Sequence, residues 1–154
     1  MSDYTIVIDS REKNDLWTKS TKNQKIIKRK LDTGDYSIEV DGVDWSDRIS
    51  IERKNGIDAI STISSGHKRF KKEIARALEL DYFAIIIECS HTAMLEKSFE
   101  GAHYSKMKGY VANSILSTIS VKYGVHLIYT NGRIETKHII KDLFNSYYKI
   151  HKVK

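Results

Sequence analysis

The chain has 154 residues, of which 40% are hydrophobic and 30% charged, and a formal net charge of +6. This composition predicts one globular domain, residues 1–154, and polyanions as partners. No apolar run approaches the ~20 residues of a membrane span, no signal peptide is visible, and a lone cysteine excludes an internal disulfide. We therefore expect no membrane association and an intracellular protein, cytoplasmic or nucleoid-associated, or nuclear if the source is a eukaryote.

The first third of the chain predicts strands joined by turns. Apolar and alternating patterns place strands at residues 5–9, 26–31, 36–40 and 48–52. Residues 10–24 are polar and predict a loop, with a short helix at Asp15–Trp17. The glycines at the ends of Asp32-Thr-Gly34 and Asp41-Gly42 suit tight turns with positive φ. The pattern therefore indicates a strand, a loop and then hairpins.

The remainder alternates between helical and strand patterns. We predict helices at 57–64, 68–80, 107–123 and 133–148, and strands at 82–88 and 125–129. The strand at 82–88 is continuously apolar, which is typical of a strand buried on both faces. Residues 90–105 predict a loop. The order of elements implies an α/β fold in which helices cover a mixed sheet.

Two acids and a lysine flank the predicted central hairpin. Asp35 stands in a Gly-Asp-Tyr turn, and Glu52 and Lys54 lie in an Ile-Glu-Arg-Lys strand. Two-residue spacing places Glu52 and Lys54 on one face, with Arg53 on the other. Two carboxylates and an ammonium are what is needed to hold Mg²⁺ and position a water against a phosphodiester. The alternatives are local turn bonding by Asp35 and a simple Glu52–Lys54 salt bridge.

Taken in order, these motifs resemble the nuclease domain of the XPF family of structure-specific DNA endonucleases, in the PD-(D/E)XK superfamily. The resemblance is carried by Gly-Asp-Tyr at 34–36 and Glu-Arg-Lys-x3-Asp at 52–58, after an Ile-Asp-Ser-Arg-Glu opening at 8–12. Arg-Phe at 69–70 and Tyr-Gly-Val at 123–125 also fit. The similarity extends over roughly residues 4–148.

The resemblance implies a restriction-endonuclease-like fold, a mixed β-sheet flanked by α-helices. It implies Mg²⁺- or Mn²⁺-dependent hydrolysis of DNA, with flaps, forks or junctions as substrates in repair, recombination or replication. Family members usually carry a tandem helix-hairpin-helix module, and we expect none within these residues. The competing readings are a catalytically inactive DNA-binding or partner-docking module, and a PD-(D/E)XK nuclease with another substrate.

Several further side chains are candidates for the site. Asp9 could complete the metal shell, and Arg11 has the geometry of a bidentate phosphate clamp. Glu12 is either a metal ligand or an ion-pair partner of Arg11. Asp58 is either a helix cap or part of the catalytic group. The candidate catalytic residues are thus Arg11, Asp35, Glu52, Lys54 and Asp58.

Two candidates keep alternative roles. Lys54 could hold the attacking water and stabilise negative charge on the phosphate, or it could act as the general base. The Arg53 side chain is either structural or faces DNA, and the family resemblance suggests its backbone carbonyl as a metal ligand. The candidate metal ligands are thus Asp9, Glu12, Asp35, Glu52 and Arg53.

Basic runs on both sides of the acidic motif predict a DNA-binding surface. Besides Arg53, the candidate DNA-binding residues are Lys28, Arg29, Lys30, Lys68, Arg69, Lys71 and Lys72. Solvated charged faces are the ordinary alternative. The six histidines have no metal-ligand spacing, so we expect no zinc site.

The closing helix predicts a homodimer. Its apolar side chains cover more of the circumference than one core contact requires: Ile139, Ile140, Leu143, Phe144, Tyr147, Tyr148 and Ile150. We expect the 107–123 helix as its neighbour. XPF-type nuclease domains also pair through their helical side. The alternative is that the sheet covers the whole stripe.

Overall fold

The computed structural model describes residues 2–152, and no helix in that range is long and apolar enough to cross a membrane. The strands are β1 (Thr5–Ile8), β2 (Ile26–Lys28), β3 (Tyr36–Val40), β4 (Val43–Asp44), β5 (Ile49–Lys54), β6 (Tyr82–Ile87) and β7 (His126–Tyr129). The helices are α1 (Gly56–Ile63), α2 (His67–Ala77), α3 (His91–Glu96), α4 (Gly109–Tyr123) and α5 (Arg133–His151). A 3₁₀ turn spans Ala102–Tyr104.

The sheet is mixed, and the predicted fold is confirmed. The strand order is β2-β1-β3-β5-β6-β7, with β4 paired to β3. β1 pairs antiparallel with β3, and β3 pairs antiparallel with β5, whereas the β1–β2, β5–β6 and β6–β7 pairs are parallel. Because Tyr36 faces Ile51 across the β3–β5 pair, the residue before β3 and the residue after Ile51 lie side by side. The topology therefore brings Asp35 next to Glu52.

Each face of the sheet has its own apolar core. Phe144 and Ile140 of α5 pack with Ile38 and Ile86 on one face. Helices α1 to α4 cover the other face, where the inward side chains of β6 include Ile87. β6 is buried on both faces, as its apolar run predicts. The expectation that the 107–123 helix lies beside the closing helix is wrong, since α4 and α5 belong to different cores.

Three local expectations also differ from the structure. The predicted helix at Asp15–Trp17 is irregular chain, because the Leu16 N–H donates to the Tyr36 hydroxyl (3.2 Å) instead of to a helical carbonyl. The predicted 90–105 loop contains α3, which Ser90 caps by accepting from the Ala93 N–H (2.9 Å). The strand predicted at 26–31 ends at Lys28, shortly before the chain turns toward the site.

Candidate active site

A cleft of about 940 Å³ opens where β5 ends. It is lined by the loop after β1, by the chain at Asp35, by the last residues of β5, and by α1 and α2. Three of the predicted catalytic residues, Asp35, Glu52 and Lys54, line it together, and Arg11 and Asp58 lie on its wall. The sheet register therefore assembles the group that the sequence motifs indicated.

Backbone hydrogen bonds fix the position of Asp35. Its N–H donates to the Ile51 carbonyl (2.9 Å), and its carbonyl accepts from the Asp9 N–H (2.8 Å). Its carboxylate accepts from the Arg53 N–H (2.7 Å). Burial raises the pKa of this carboxyl, although the Arg53 N–H opposes the shift. Asp35 is thus held in place by strands β1 and β5 on either side.

Glu52 and Lys54 extend into the cleft from the same face of β5. The Lys54 Nζ lies 3.6 Å from the Glu52 Oε1, and the two side chains are only 15% and 13% exposed. The Glu52–Lys54 pair that was considered as an alternative reading therefore exists, and it lies inside the cleft beside Asp35. A salt bridge in this position is compatible with a catalytic role.

Glu73 of α2 joins the acidic group, and the sequence motifs did not identify it. Burial first, and then the neighbouring Glu73 carboxyl, raise the pKa of Glu52 well above its usual range. The Glu73 Oε1 is buried and has no hydrogen-bond partner in the protein. Its sequence signal was weak: it lies three residues after Phe70 and next to Ile74, at the edge of the apolar stripe of α2. Two contacting carboxyls need a proton or a cation between them.

Asp9 and Arg11 form a bidentate pair, which favours a role for Asp9 in orienting Arg11 over its predicted role as a metal ligand. The Arg11 Nε and Nη2 donate to the two Asp9 carboxylate oxygens (3.0 and 3.2 Å), and Leu31 N–H donates to one of them (2.8 Å). Asp9 is 4% exposed and does not line the cleft, whereas the Arg11 side chain is 63% exposed. Asp9 therefore orients Arg11, whose guanidinium is fixed at the rim of the cleft.

The side chain of Arg53 is held by internal partners, which favours the structural role over the DNA-facing role among its two predicted roles. It is 12% exposed, donates to the Glu88 carboxylate, and donates to the Asn14 carbonyl (2.8 Å). The Glu12 Oε2 lies 3.7 Å from the Arg53 Nη1, so the ion-pair partner of Glu12 is Arg53 and not Arg11. Burial, followed by the charge of Asp35, raises the pKa of Glu12 to about 7. Glu12 remains a candidate ligand at the wall of the cleft.

Asp58 is not the cap of α1. Asn55 is the N-cap residue, and its side-chain oxygen accepts from the Asp58 N–H (2.8 Å). Asp58 lies in the first helical turn, exposed and lining the cleft. The structure therefore removes the capping role and leaves the Asp58 carboxylate free to face a substrate.

The predicted basic surface divides into two parts. Lys68 and Arg69 line the cleft, and Lys71 and Lys72 are exposed on the same helix. By contrast, the basic run before the hairpin is largely neutralised. In that run Lys28 pairs with Asp15, Arg29 pairs with Glu39 and Asp44, and Lys30 lies with Arg11 in a neighbouring pocket of about 680 Å³.

The donor chemistry of the cleft fits a hard divalent cation. Asp35 and Glu52 offer buried carboxylate oxygens whose mutual repulsion a cation would relieve. Within residues 2–152, however, no three His, Cys, Asp or Glu side chains already lie in an arrangement that could hold a metal ion. Mg²⁺ commonly uses one or two carboxylates and takes its other ligands from water and substrate phosphates, so a two-carboxylate site is sufficient.

Comparisons with known proteins point to one family. The ERCC4 domain model matches residues 8–143. XPF from Aeropyrum pernix superposes with a TM-score of 0.66 at 20% identity, covering 93% of this chain and 61% of that one. XPF from Aeropyrum pernix in complex with DNA superposes with a TM-score of 0.67 at 20% identity, covering 97% of this chain and 68% of that one. No curated protein matches the chain.

Proposed function

The chain belongs to the ERCC4 domain family and has the fold of an XPF-type nuclease domain, and from this we propose that it is a Mg²⁺- or Mn²⁺-dependent DNA endonuclease. We propose branched DNA as the substrate, as in flaps, forks or junctions, with a role in repair, recombination or replication. The observation that carries the proposal is the meeting of Asp35, Glu52 and Lys54 in one cleft.

Each residue of the cleft would have a separate role in hydrolysis. Asp35 and Glu52 would hold the metal ion, together with the Arg53 backbone carbonyl, and the metal would supply Lewis-acid activation. Lys54, beside Glu52 and inside the cleft, would hold the attacking water and stabilise negative charge on the phosphate. Arg11, fixed by Asp9, would clamp a phosphate at the rim.

Two other functions remain to be separated from this one. An inactive docking module of the same fold has no need for the complete acid and lysine set, which this cleft retains. A nuclease with another substrate would share the set. We therefore propose a comparison of labelled flap, fork, Holliday-junction and linear duplex DNA with Mg²⁺, and with EDTA as control. If the protein cleaves none of the four substrates, the proposed nuclease activity is contradicted. If it prefers the linear duplex, the proposed branched substrate is contradicted.

We expect DNA affinity to depend steeply on salt through the basic edge of α2. Each phosphate contact releases counterions, so the Lys68→Gln/Arg69→Gln double variant should lower the slope of log affinity against log salt by ~2. The matched control is Lys28→Gln/Arg29→Gln, whose side chains are already paired with acids and should change the slope less. Fluorescence anisotropy in EDTA measures both slopes. Equal slopes for the two variants would contradict the assignment of the surface.

We also propose a homodimer through α5. Ile140 and Phe144 are fully buried in the core. Ile139 and Leu143 pack against its edge and remain half-buried, and Ile150, on the same face of α5 as these two, is 74% exposed. Light scattering at micromolar concentration should give the mass of a dimer. Ile150→Glu should weaken it, whereas Val121→Glu on α4 should not, although Val121 is 86% exposed. A monomeric mass at this concentration, together with full nuclease activity, would contradict the proposed homodimer.

We expect Glu73→Gln to show that Glu73 acts on Glu52. An amide at this position can donate to the Glu52 carboxylate, so at pH 8 without metal the free energy of unfolding should rise by about 1 kcal/mol, the size of one hydrogen bond. The additional stabilisation by Mg²⁺ should become smaller, because less repulsion remains for the cation to relieve. Thermal denaturation in EDTA and in Mg²⁺ measures both effects. If Mg²⁺ stabilises the variant as much as the wild type, Glu73 does not act on Glu52.

A further inference from the structure

Exposed aromatic and basic side chains follow one another in sequence from the end of the 3₁₀ turn to the first turn of α4. Tyr104 is 80% exposed and Tyr110 is 61% exposed, and Lys106 and Lys108 lie between them in the sequence, also exposed. His103 precedes them, and residues 103–110 contain no acid. We call these eight residues the 103–110 segment. None of the roles proposed above uses it.

The backbone of the 103–110 segment is anchored. Met107 packs against the core under α4, and its N–H donates to the Ser105 hydroxyl (3.1 Å). Gly109 is buried so closely that a Cβ there would lie 2.1 Å from the Leu95 carbonyl oxygen. The tyrosine rings are therefore presented to solvent from a fixed chain, which reduces the entropy lost when they bind a ligand.

The segment is joined to the wall of the cleft. The Phe99 ring lies against Gly56 at the start of α1, where a Cβ would come within 2.6 Å of the ring, and Gly101 lies beside the Ile57 side chain. The same end of α1 contributes Asn55 and Asp58 to the cleft. Residues 99–101 therefore connect the helix end at the cleft to the 103–110 segment, and the Tyr104 ring lies beside Gly101.

We propose that the 103–110 segment binds an unpaired DNA strand that extends from the cleft. Tyr104 and Tyr110 would stack on bases, and Lys106 and Lys108 would contact phosphates. Single exposed aromatic residues are ordinary, but two of them interleaved with cations match the stacking platforms of single-strand binding proteins. The bases of an intact duplex are already stacked, so they cannot use these rings. The proposal rests on the proposed function and deepens it by assigning the single-stranded arm of a flap or fork to this surface.

The test compares the binding of labelled oligothymidine and labelled blunt duplex by anisotropy in EDTA. We expect Tyr104→Ala/Tyr110→Ala to weaken oligothymidine binding by about tenfold or more, with duplex binding unchanged. Tyr104→Phe/Tyr110→Phe should bind as the wild type does, because the rings remain. The matched control is Val121→Ala/Lys122→Ala, an exposed apolar and basic pair at the other end of α4. It should alter neither affinity.

Several outcomes would overturn the proposal. These are a wild-type chain that does not bind oligothymidine, equal losses for oligothymidine and duplex, or no loss in the alanine variant. If circular dichroism shows that the alanine variant does not fold, the binding of oligothymidine and of duplex is compared instead for Lys106→Gln/Lys108→Gln. Cleavage of a fork with Mg²⁺ is measured separately. If oligothymidine binding depends on the tyrosines but the fork is not cleaved, the nuclease proposal is contradicted and the role of the 103–110 segment stands. If the fork is cleaved but binding does not depend on the tyrosines, the nuclease proposal stands and the role of the segment is contradicted.

Discussion

Asp35→Asn should lower DNA cleavage by about a thousandfold or more, roughly 4 kcal/mol of barrier at 1.36 kcal/mol per factor of ten. The amide is isosteric and can keep the contact with the Arg53 N–H through its oxygen, so the fold should remain intact. It removes the negative charge that a cation in the cleft requires. DNA binding without metal should be unchanged or slightly tighter, because an acid is lost beside the phosphates. Single-turnover cleavage and anisotropy measure the two quantities.

Glu52→Gln should give the same loss of cleavage, because its carboxylate faces the same position in the cleft. The matched control is Asp142→Asn, which removes an exposed acid from α5 on the other face of the sheet. Its cleavage rate should equal that of the wild type. If Asp35→Asn or Glu52→Gln cuts at the wild-type rate, the acids are not the catalytic site and the cleft must be reassigned.

The core of the site was predictable because short-range geometry creates it. Alternation along one strand places Glu52 and Lys54 together, and the turn that precedes β3 brings Asp35 to the adjacent strand. The sheet itself followed from apolar runs whose length and spacing suit strands and covering helices. These features depend on residues that are close in sequence or joined by one hairpin.

The remaining features depend on contacts between distant segments, which periodicity does not encode. Glu73 meets Glu52 only because α2 and the end of β5 line the same cleft. The Arg53 side chain pairs with Glu88 at the end of another strand, and Lys28 pairs with Asp15 across a loop. A lone charged residue gives no sequence signal for its partner, so a basic run cannot be separated from a set of ion pairs without coordinates.

Gly34→Ala should both destabilise the fold and disable the site. Gly34 has φ +77°, and an added Cβ would lie 2.0 Å from the Ser50 Oγ and 3.2 Å from the Ile51 carbonyl oxygen. Ser50 is fully buried, and its hydroxyl donates to the Thr33 carbonyl (2.7 Å), so it cannot move aside without losing that bond. Positive-φ strain, overpacking and a lost hydrogen bond together suggest a cost of about 3–5 kcal/mol in unfolding free energy.

Gly42→Ala separates the two causes, because Gly42 has nearly the same dihedral, φ +76°, with nothing within 4 Å of an added Cβ. This variant should lose only the ~1–2 kcal/mol of left-handed strain and keep its cleavage rate. Urea denaturation gives both free energies, and cleavage at matched folded fraction isolates the effect on the site. We expect Gly34→Ala to cut more slowly even when folded, since Asp35 is the next residue and must shift with the turn. Equal losses of stability in the two variants would mean that the Ser50 side chain moves aside at little cost, and equal cleavage rates would mean that the turn does not fix the position of Asp35.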